Sequence, residues 1–120
     1  MRTALIPGLQ RHPTTVVFLA WHSATPVGLA VCFVGFSTFL ARPLMNIHDL
    51  AVIPTYRRQG VGRLLLERVA AKGKTLGCCK LTLEVRADNH PAQRLYEEAG
   101  FDNAASYGGA VRVLFLEKRL

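Results

Sequence analysis

Six consecutive residues, Arg57-Arg58-Gln59-Gly60-Val61-Gly62, stand between an apolar run and a stretch of helical periodicity. A glycine loop that opens a helix exposes backbone amides, and the helix dipole adds partial positive charge at the same place. Gly60 and Gly62 lack Cβ, so a ligand can approach the backbone closely. Arg57, Arg58 and Arg63 bring full charges to the rim. These residues describe a cradle for pyrophosphate. Two familiar phosphate loops do not fit it. A Walker loop needs Gly-Lys-Ser/Thr where this chain has Gly62-Arg63-Leu64, and a dinucleotide fingerprint needs a third glycine where it has Leu65.

Other side chains able to exchange protons lie on both sides of the loop. His48 and Asp49 sit together inside an apolar run, where two neighbouring polar residues are unusual unless a bulge absorbs one. Glu84 alternates with Leu83 and Val85 and shares a strand face with Thr82 and Arg86, where a salt bridge to an arginine is its ordinary fate. Tyr96 stands on the apolar stripe of a short helix.

The elements that must position these groups follow from periodicity. Thr14 to Trp21 is β-rich, turn residues follow, and the run through Phe39 reads as a longer strand with Gly35 marking a bend or bulge, so the pair forms an antiparallel hairpin. After a connector at Pro43, Leu44 to Ile53 is a third strand stopped by Pro54. Val61, Leu65 and Val69 recur at helical spacing within Gly60–Leu76, and Gly77 is a natural stop. Lys80 to Ala87 alternates as a strand. Asn89 or His90 then caps a helix with Pro91 in its first turn, ending at Gly100. Ala110 to Leu120 closes the chain as a strand, with a further short strand possible near Ser106. The order β-β-β-α-β-α-β implies a mixed α/β (α+β) domain, residues 1–120, with one parallel pair inside a mainly antiparallel sheet.

Composition narrows the function. Half of the 120 residues are hydrophobic and 19% are charged, which excludes a disordered tail. The longest apolar stretch, Pro26 to Phe36, is too short to cross a membrane as a helix, and no signal peptide is apparent, so a cytoplasmic address is expected. The net charge of +7 suits a phosphorylated ligand. Nucleic acid is not expected, since the arginines cluster at the loop and no recognition helix appears. Cys32, Cys78 and Cys79 have no metal-ligand spacing and read as packing.

The hexapeptide Arg57 to Gly62 matches, at every fixed position, the Arg/Gln-x-x-Gly-x-Gly/Ala loop of the GNAT N-acetyltransferases. The stretch Leu83 to Phe101 resembles that family's second signature through Asn89, Ala92, Leu95, Tyr96, Gly100 and Phe101. The resemblance runs from Val16 to the C-terminus and is most specific from Ile47 to Phe101.

It implies a sheet whose central parallel strands splay into a V that admits acetyl-CoA. Leu50, Ala51 and Val52 would then pair with the pantetheine arm through their backbone. Arg57, Arg58, Gln59, Gly60, Val61, Gly62 and Arg63 would hold the pyrophosphate, Asn89 would touch the pantetheine, and Tyr96 would protonate the leaving thiolate. The implied activity is transfer of acetyl to a primary amine of a small molecule or peptide, by direct attack and without a metal. A base must first deprotonate the ammonium. Glu84 matches a glutamate implicated as base in ribosomal-protein alanine acetyltransferases, and His48 is the second candidate. The stretch Gly35 to Val52 resembles spermidine/spermine and thialysine acetyltransferases. There the position of His48 holds a glutamate, which disfavours a polyamine here and leaves Asp49 to bind a cationic amine. Few residues precede Thr14, so the N-terminal helices that roof the acceptor site in this family are short or missing. Such a site is open or completed by another subunit, and a homodimer is implied. The competing expectation is a CoA-binding or regulatory module without a complete acceptor site.

Overall fold

The computed structural model describes residues 14–110 and 112–120. Strands β1 (Thr15–His22), β2 (Thr25–Ser37) and β3 (Arg42–Val52) form a meander, followed by a 3-10 turn at Pro54–Tyr56 and helix α1 (Val61–Thr75). Strand β4 (Lys80–Arg86), helix α2 (His90–Glu98), β5 (Asp102–Tyr107) and β6 (Val113–Arg119) complete the chain. One sheet takes the order β1-β2-β3-β4-β6-β5, antiparallel except for β3 and β4. This is the mixed class that the periodicity predicts, and the short strand near Ser106 is β5. The lead-in before Thr14, including any N-terminal helix, lies outside the described residues.

Both helices pack on one face of the sheet. Leu65, Leu66 and Val69 of α1 and Tyr96 of α2 join Cys32, Met45, Ile47, Leu81, Leu83, Val85 and Leu116 in a single apolar cluster. The alternation of β4 sends Leu81, Leu83 and Val85 into that core and leaves Glu84 and Arg86 exposed. Thr82, on their side of the strand, is nevertheless buried.

Both helices end alike. The Gly77 amide donates to Lys74 and the Cys78 amide to Gly73; at α2 the Gly100 amide donates to Glu97 and the Phe101 amide to Tyr96. This double closure satisfies carbonyls that the last turn would otherwise strand, and it draws the following apolar residue back onto the helix.

The irregularity that shapes the site lies in β3. Asp49 pairs with Val31 and Ile47 with Cys32, so His48 is an extra residue with no opposite number on β2. The bulge anticipated for the His48-Asp49 pair is therefore present, and both side chains are exposed. Gly35, by contrast, pairs regularly with Leu44 and makes no bulge. Parallel pairing with β4 covers only Met45↔Leu81, Asn46↔Thr82 and Ile47↔Leu83. It stops at the residue before the bulge, because the extra residue turns β3 away from its neighbour.

Candidate active site

The loop before α1 ends in a left-handed turn, with Arg58 at φ 61° and Gly60 at φ 83°. Gly60 is the N-cap residue, and no side chain caps the helix. The first helical bond is Leu64 N to Gly60 O at 2.9 Å. The amides of Gly60, Val61, Gly62 and Arg63 therefore lack intrahelical acceptors, and no acidic residue stands in the first turn. An uncapped, acid-free helix start suits an anion.

The two glycines serve different ends. A Cβ on Gly60 would meet nothing within 4 Å, so its surroundings are open to a ligand. A Cβ on Gly62 would stand 3.0 Å from Leu95 Cδ2, so Gly62 lets α1 and α2 approach one another. The arginines divide likewise. Arg57 donates through Nε to the Val52 carbonyl at 3.1 Å and braces the loop against β3. Arg63 lies 3.6 Å from Glu67 across one exposed helical turn. Arg58 has no side-chain partner among the described residues. Gln59 Nε2 donates to the Thr55 carbonyl at 2.9 Å and closes the turn.

From this loop the free margin of β3 leads inward. Leu50, Ala51 and Val52 pair with Ala30, Leu29 and Gly28 on one side, while β4 has already diverged on the other. Backbone groups on that margin are available to an extended, amide-bearing ligand, in the manner of strand addition.

At the fork lies a cleft of about 390 Å³ lined by Asn46, Ile47, His48, Glu84, Val85, Arg86 and Val113. Asn46 donates to the Thr82 hydroxyl at 3.1 Å and ties the strands one level before the last pair, Ile47↔Leu83. The bulge brings His48 into the cleft beside Glu84, so the two candidate bases share one wall-to-wall space. His48 packs edge-on against Phe33, with ring centroids 5.6 Å apart. Among the described residues no arginine forms the salt bridge that is the ordinary fate of Glu84: Arg86 instead makes paired bonds to Asp88 at 3.0 and 2.9 Å. Asp49 is exposed beside His48 but does not line this cleft.

Tyr96 is nine-tenths buried, and its ring meets that of Phe101 at 5.7 Å. Burial pushes its phenol above the ordinary tyrosine value, keeping the proton on oxygen. Its hydroxyl has no partner among the described residues, and it does not line the His48–Glu84 cleft. Asn89 is the α2 N-cap, its Oδ1 accepting from the Ala92 amide at 3.2 Å. Gln93 clips the approach to that cap by donating to the Ala87 carbonyl at 2.8 Å.

Tyr107 was missed by sequence reasoning. Interaction with the Glu84 carboxylate raises its phenol above the ordinary tyrosine value. Only the registers of β5 on β6 and of β6 on β4 bring the two together, and nothing local in the sequence encodes them.

The Acetyltransferase (GNAT) family matches residues 3–101. The ribosomal protein bS18-alanine N-acetyltransferase of Escherichia coli strain K12 is 47% identical over 59 residues, 49% of this chain and 40% of that protein. The thialysine N-epsilon-acetyltransferase of Bos taurus is 34% identical over 74 residues, 62% of this chain and 43% of that protein. The matched stretch is thus less than half the length of either relative. Among solved structures, the NatC complex bound to Gag peptide and CoA contains a chain that superposes with a TM-score of 0.80 at 26% identity, covering 100% of this chain and 80% of that one.

Proposed function

This chain belongs to the GNAT acetyltransferase family, and on that premise we propose that it transfers the acetyl group of acetyl-CoA to a primary amine. One observation carries the reading. The uncapped start of α1, the unpaired margin of Leu50–Val52 and the His48–Glu84 cleft follow one another along a single strand. They match, in order, the pyrophosphate, the amide-bearing arm and the reacting end of acetyl-CoA.

The residues take roles that their surroundings favour. Amides of the Gln59–Arg63 segment and the unpartnered Arg58 hold the pyrophosphate. Arg57 keeps that loop in place. Glu84, clear of Arg86, accepts a proton from the ammonium directly or through water, and His48 is the other base within the cleft. The neutral amine attacks the thioester carbonyl, whose developing charge is stabilised by an amide on the free β3 margin. Tyr96, held neutral by burial, donates to the departing sulfur, and Asn89 keeps its Nδ2 for the arm of the cofactor.

Asp49 and Glu84 place negative charge near the cleft of a +7 protein, which suits a cationic amine. The relatives' names point to two acceptors, an alanine of a ribosomal protein and the ε-nitrogen of thialysine, and so to a peptide amine or a small-molecule amine here. The peptide N-terminus is favoured, because His48 in place of a second carboxylate weakens attraction for a polycation.

A homodimer fits the same architecture. Among the described residues strand β1 is paired on one side only, and it carries no Asp, Glu, Lys or Arg and exposes Val17, Leu19 and Trp21.

The deciding experiment follows CoA release from acetyl-CoA with a panel of amines, polyamines, amino acids and short peptides. Release with peptides beginning in a free amine supports the reading. Tight acetyl-CoA binding without release from any acceptor would replace it with a CoA-binding or regulatory module.

A further inference from the structure

Arg86 stands on the same face of β4 as Glu84, two residues and about 7 Å along the strand. Both line the cleft at the fork of β3 and β4. The guanidinium is gripped from one side by Asp88: Nε donates to Oδ1 at 3.0 Å and Nη2 to Oδ2 at 2.9 Å, which fixes the plane of the fork. The pair is well exposed and adds little to the stability of the fold. Its consequence is for the cleft. A guanidinium has five N–H groups; two are taken by Asp88, and the rest have no acceptor among the described residues. Asp88 also offsets the positive charge, while Glu84 lines the cleft and Asp49 stands exposed beside His48. Arg86 therefore offers hydrogen-bond donors in a place with no net attraction for anions.

We propose that Arg86 is a specificity-determining residue that hydrogen-bonds the acyl oxygen next to the acceptor's amine, with Asp88 as the positioning residue that holds its guanidinium. In a peptide N-terminus the carbonyl carbon is attached directly to the carbon that bears the amine. An amine delivered to Glu84 thus brings an oxygen to the neighbouring Arg86. The offset charge favours the neutral carbonyl of a peptide over the carboxylate of a free amino acid. A plain alkylamine gives the same donors nothing to bind. The inference rests on the reading of the His48–Glu84 cleft as the acceptor site, and it narrows the primary amine of that reading to the α-amine of a peptide.

The test measures acetyl transfer to alanyl-alanine amide, free alanine and isopropylamine, comparing each variant with wild type on the same acceptor so that amine basicity cancels. Arg86→Gln is expected to raise the KM for the peptide amide by about ten-fold or more, the worth of a hydrogen bond to a charged group. The KM for acetyl-CoA and the rate with isopropylamine should stay unchanged. Arg86→Lys, which keeps the charge but not the fork, should lose most of the same affinity. Asp88→Asn leaves the charge of Arg86 without its offset, so preference should move several-fold from the peptide amide towards free alanine, a change that a merely structural role would not produce. Equal losses on peptide amide and isopropylamine in either Arg86 variant overturn the specificity role, as does a wild type that takes isopropylamine as readily as the peptide amide. An Asp88→Asn variant with unshifted preference overturns the role of Asp88 alone. Absence of CoA release with any acceptor removes the proposed function and this inference together.

Discussion

The Phe101 amide donates to the Tyr96 carbonyl at 3.0 Å while the two rings meet at 62° with centroids 5.7 Å apart. One backbone closure at the end of α2 thus sets the ring that carries the candidate acid. The Gly100-Phe101 pair of the family signature has a physical reason here: it pins Tyr96 from its own C-terminal side. Tyr96→Phe keeps the ring and its packing, so stability is expected to change by less than about 1 kcal/mol while kcat drops by about ten-fold or more. Phe101→Ala leaves a cavity beneath the same ring and is expected to cost about 3–5 kcal/mol of stability. Thermal melts read against steady-state rates separate the two. An unaltered rate in Tyr96→Phe would reduce Tyr96 to packing.

Gly60 and Gly62 should fail in different ways when replaced. Gly60→Glu places a carboxylate where the helix offers free amides, and its Cβ meets open space. Acetyl-CoA binding is expected to disappear while the chain stays folded, with about 1 kcal/mol lost to the left-handed φ. Gly62→Val drives a branched side chain into Leu95 and is expected to cost about 1–3 kcal/mol by prising α1 from α2. Calorimetric titration with acetyl-CoA beside urea unfolding distinguishes them. Unchanged affinity in Gly60→Glu would refute the cradle.

The cleft is lined by two candidate bases, Glu84 and His48, and pH dependence decides between them. Glu84→Gln is expected to lower kcat/KM by about 10²-fold or more and to change the limb of the profile that rises with pH. His48→Ala is expected to leave that limb in place. The reverse pattern would transfer the role of base to His48, which the bulge places in the same cleft.

Local pattern carried much of this architecture. The glycine loop, the alternation of Leu81 to Val85 and a helix cap at Asn89 or His90 were legible because each depends on spacing within a few residues, and the parallel pair was legible from the strand-helix-strand order. The His48-Asp49 pair signalled its bulge because two adjacent polar residues cannot both alternate into a core. What was not legible depends on register between distant strands. Tyr107 comes to share a sheet face with Glu84 through two pairings across β6, and Arg86 bonds a neighbour two residues along the chain rather than Glu84. Gly35 suggests a bulge or bend, but it pairs in regular register with Leu44, and a glycine within a strand does not by itself say which. The sequence could also not separate the tasks of Gly60 and Gly62, since the contact of Gly62 with Leu95 is tertiary.

Cys32 predicts how the fold responds to alkali. It is fully buried in the core, and burial pushes its thiol from the ordinary 9.0 up to about 12. Below pH 9 both folded and unfolded chains hold this proton, and its contribution to stability is complete. Between 9 and about 12 the unfolded chain releases the proton and the folded chain does not, so stability is lost as pH rises. The loss is on the order of a few kcal/mol across that window. Tyr96, also raised by burial, acts in the same direction. Cys32→Ala is expected to be less stable near pH 8, by about 1 kcal/mol for the lost packing, yet to show a shallower decline towards pH 11. Urea midpoints at the two pH values measure the difference of slopes. Equal slopes in wild type and Cys32→Ala would mean that the thiol ionises without unfolding the core.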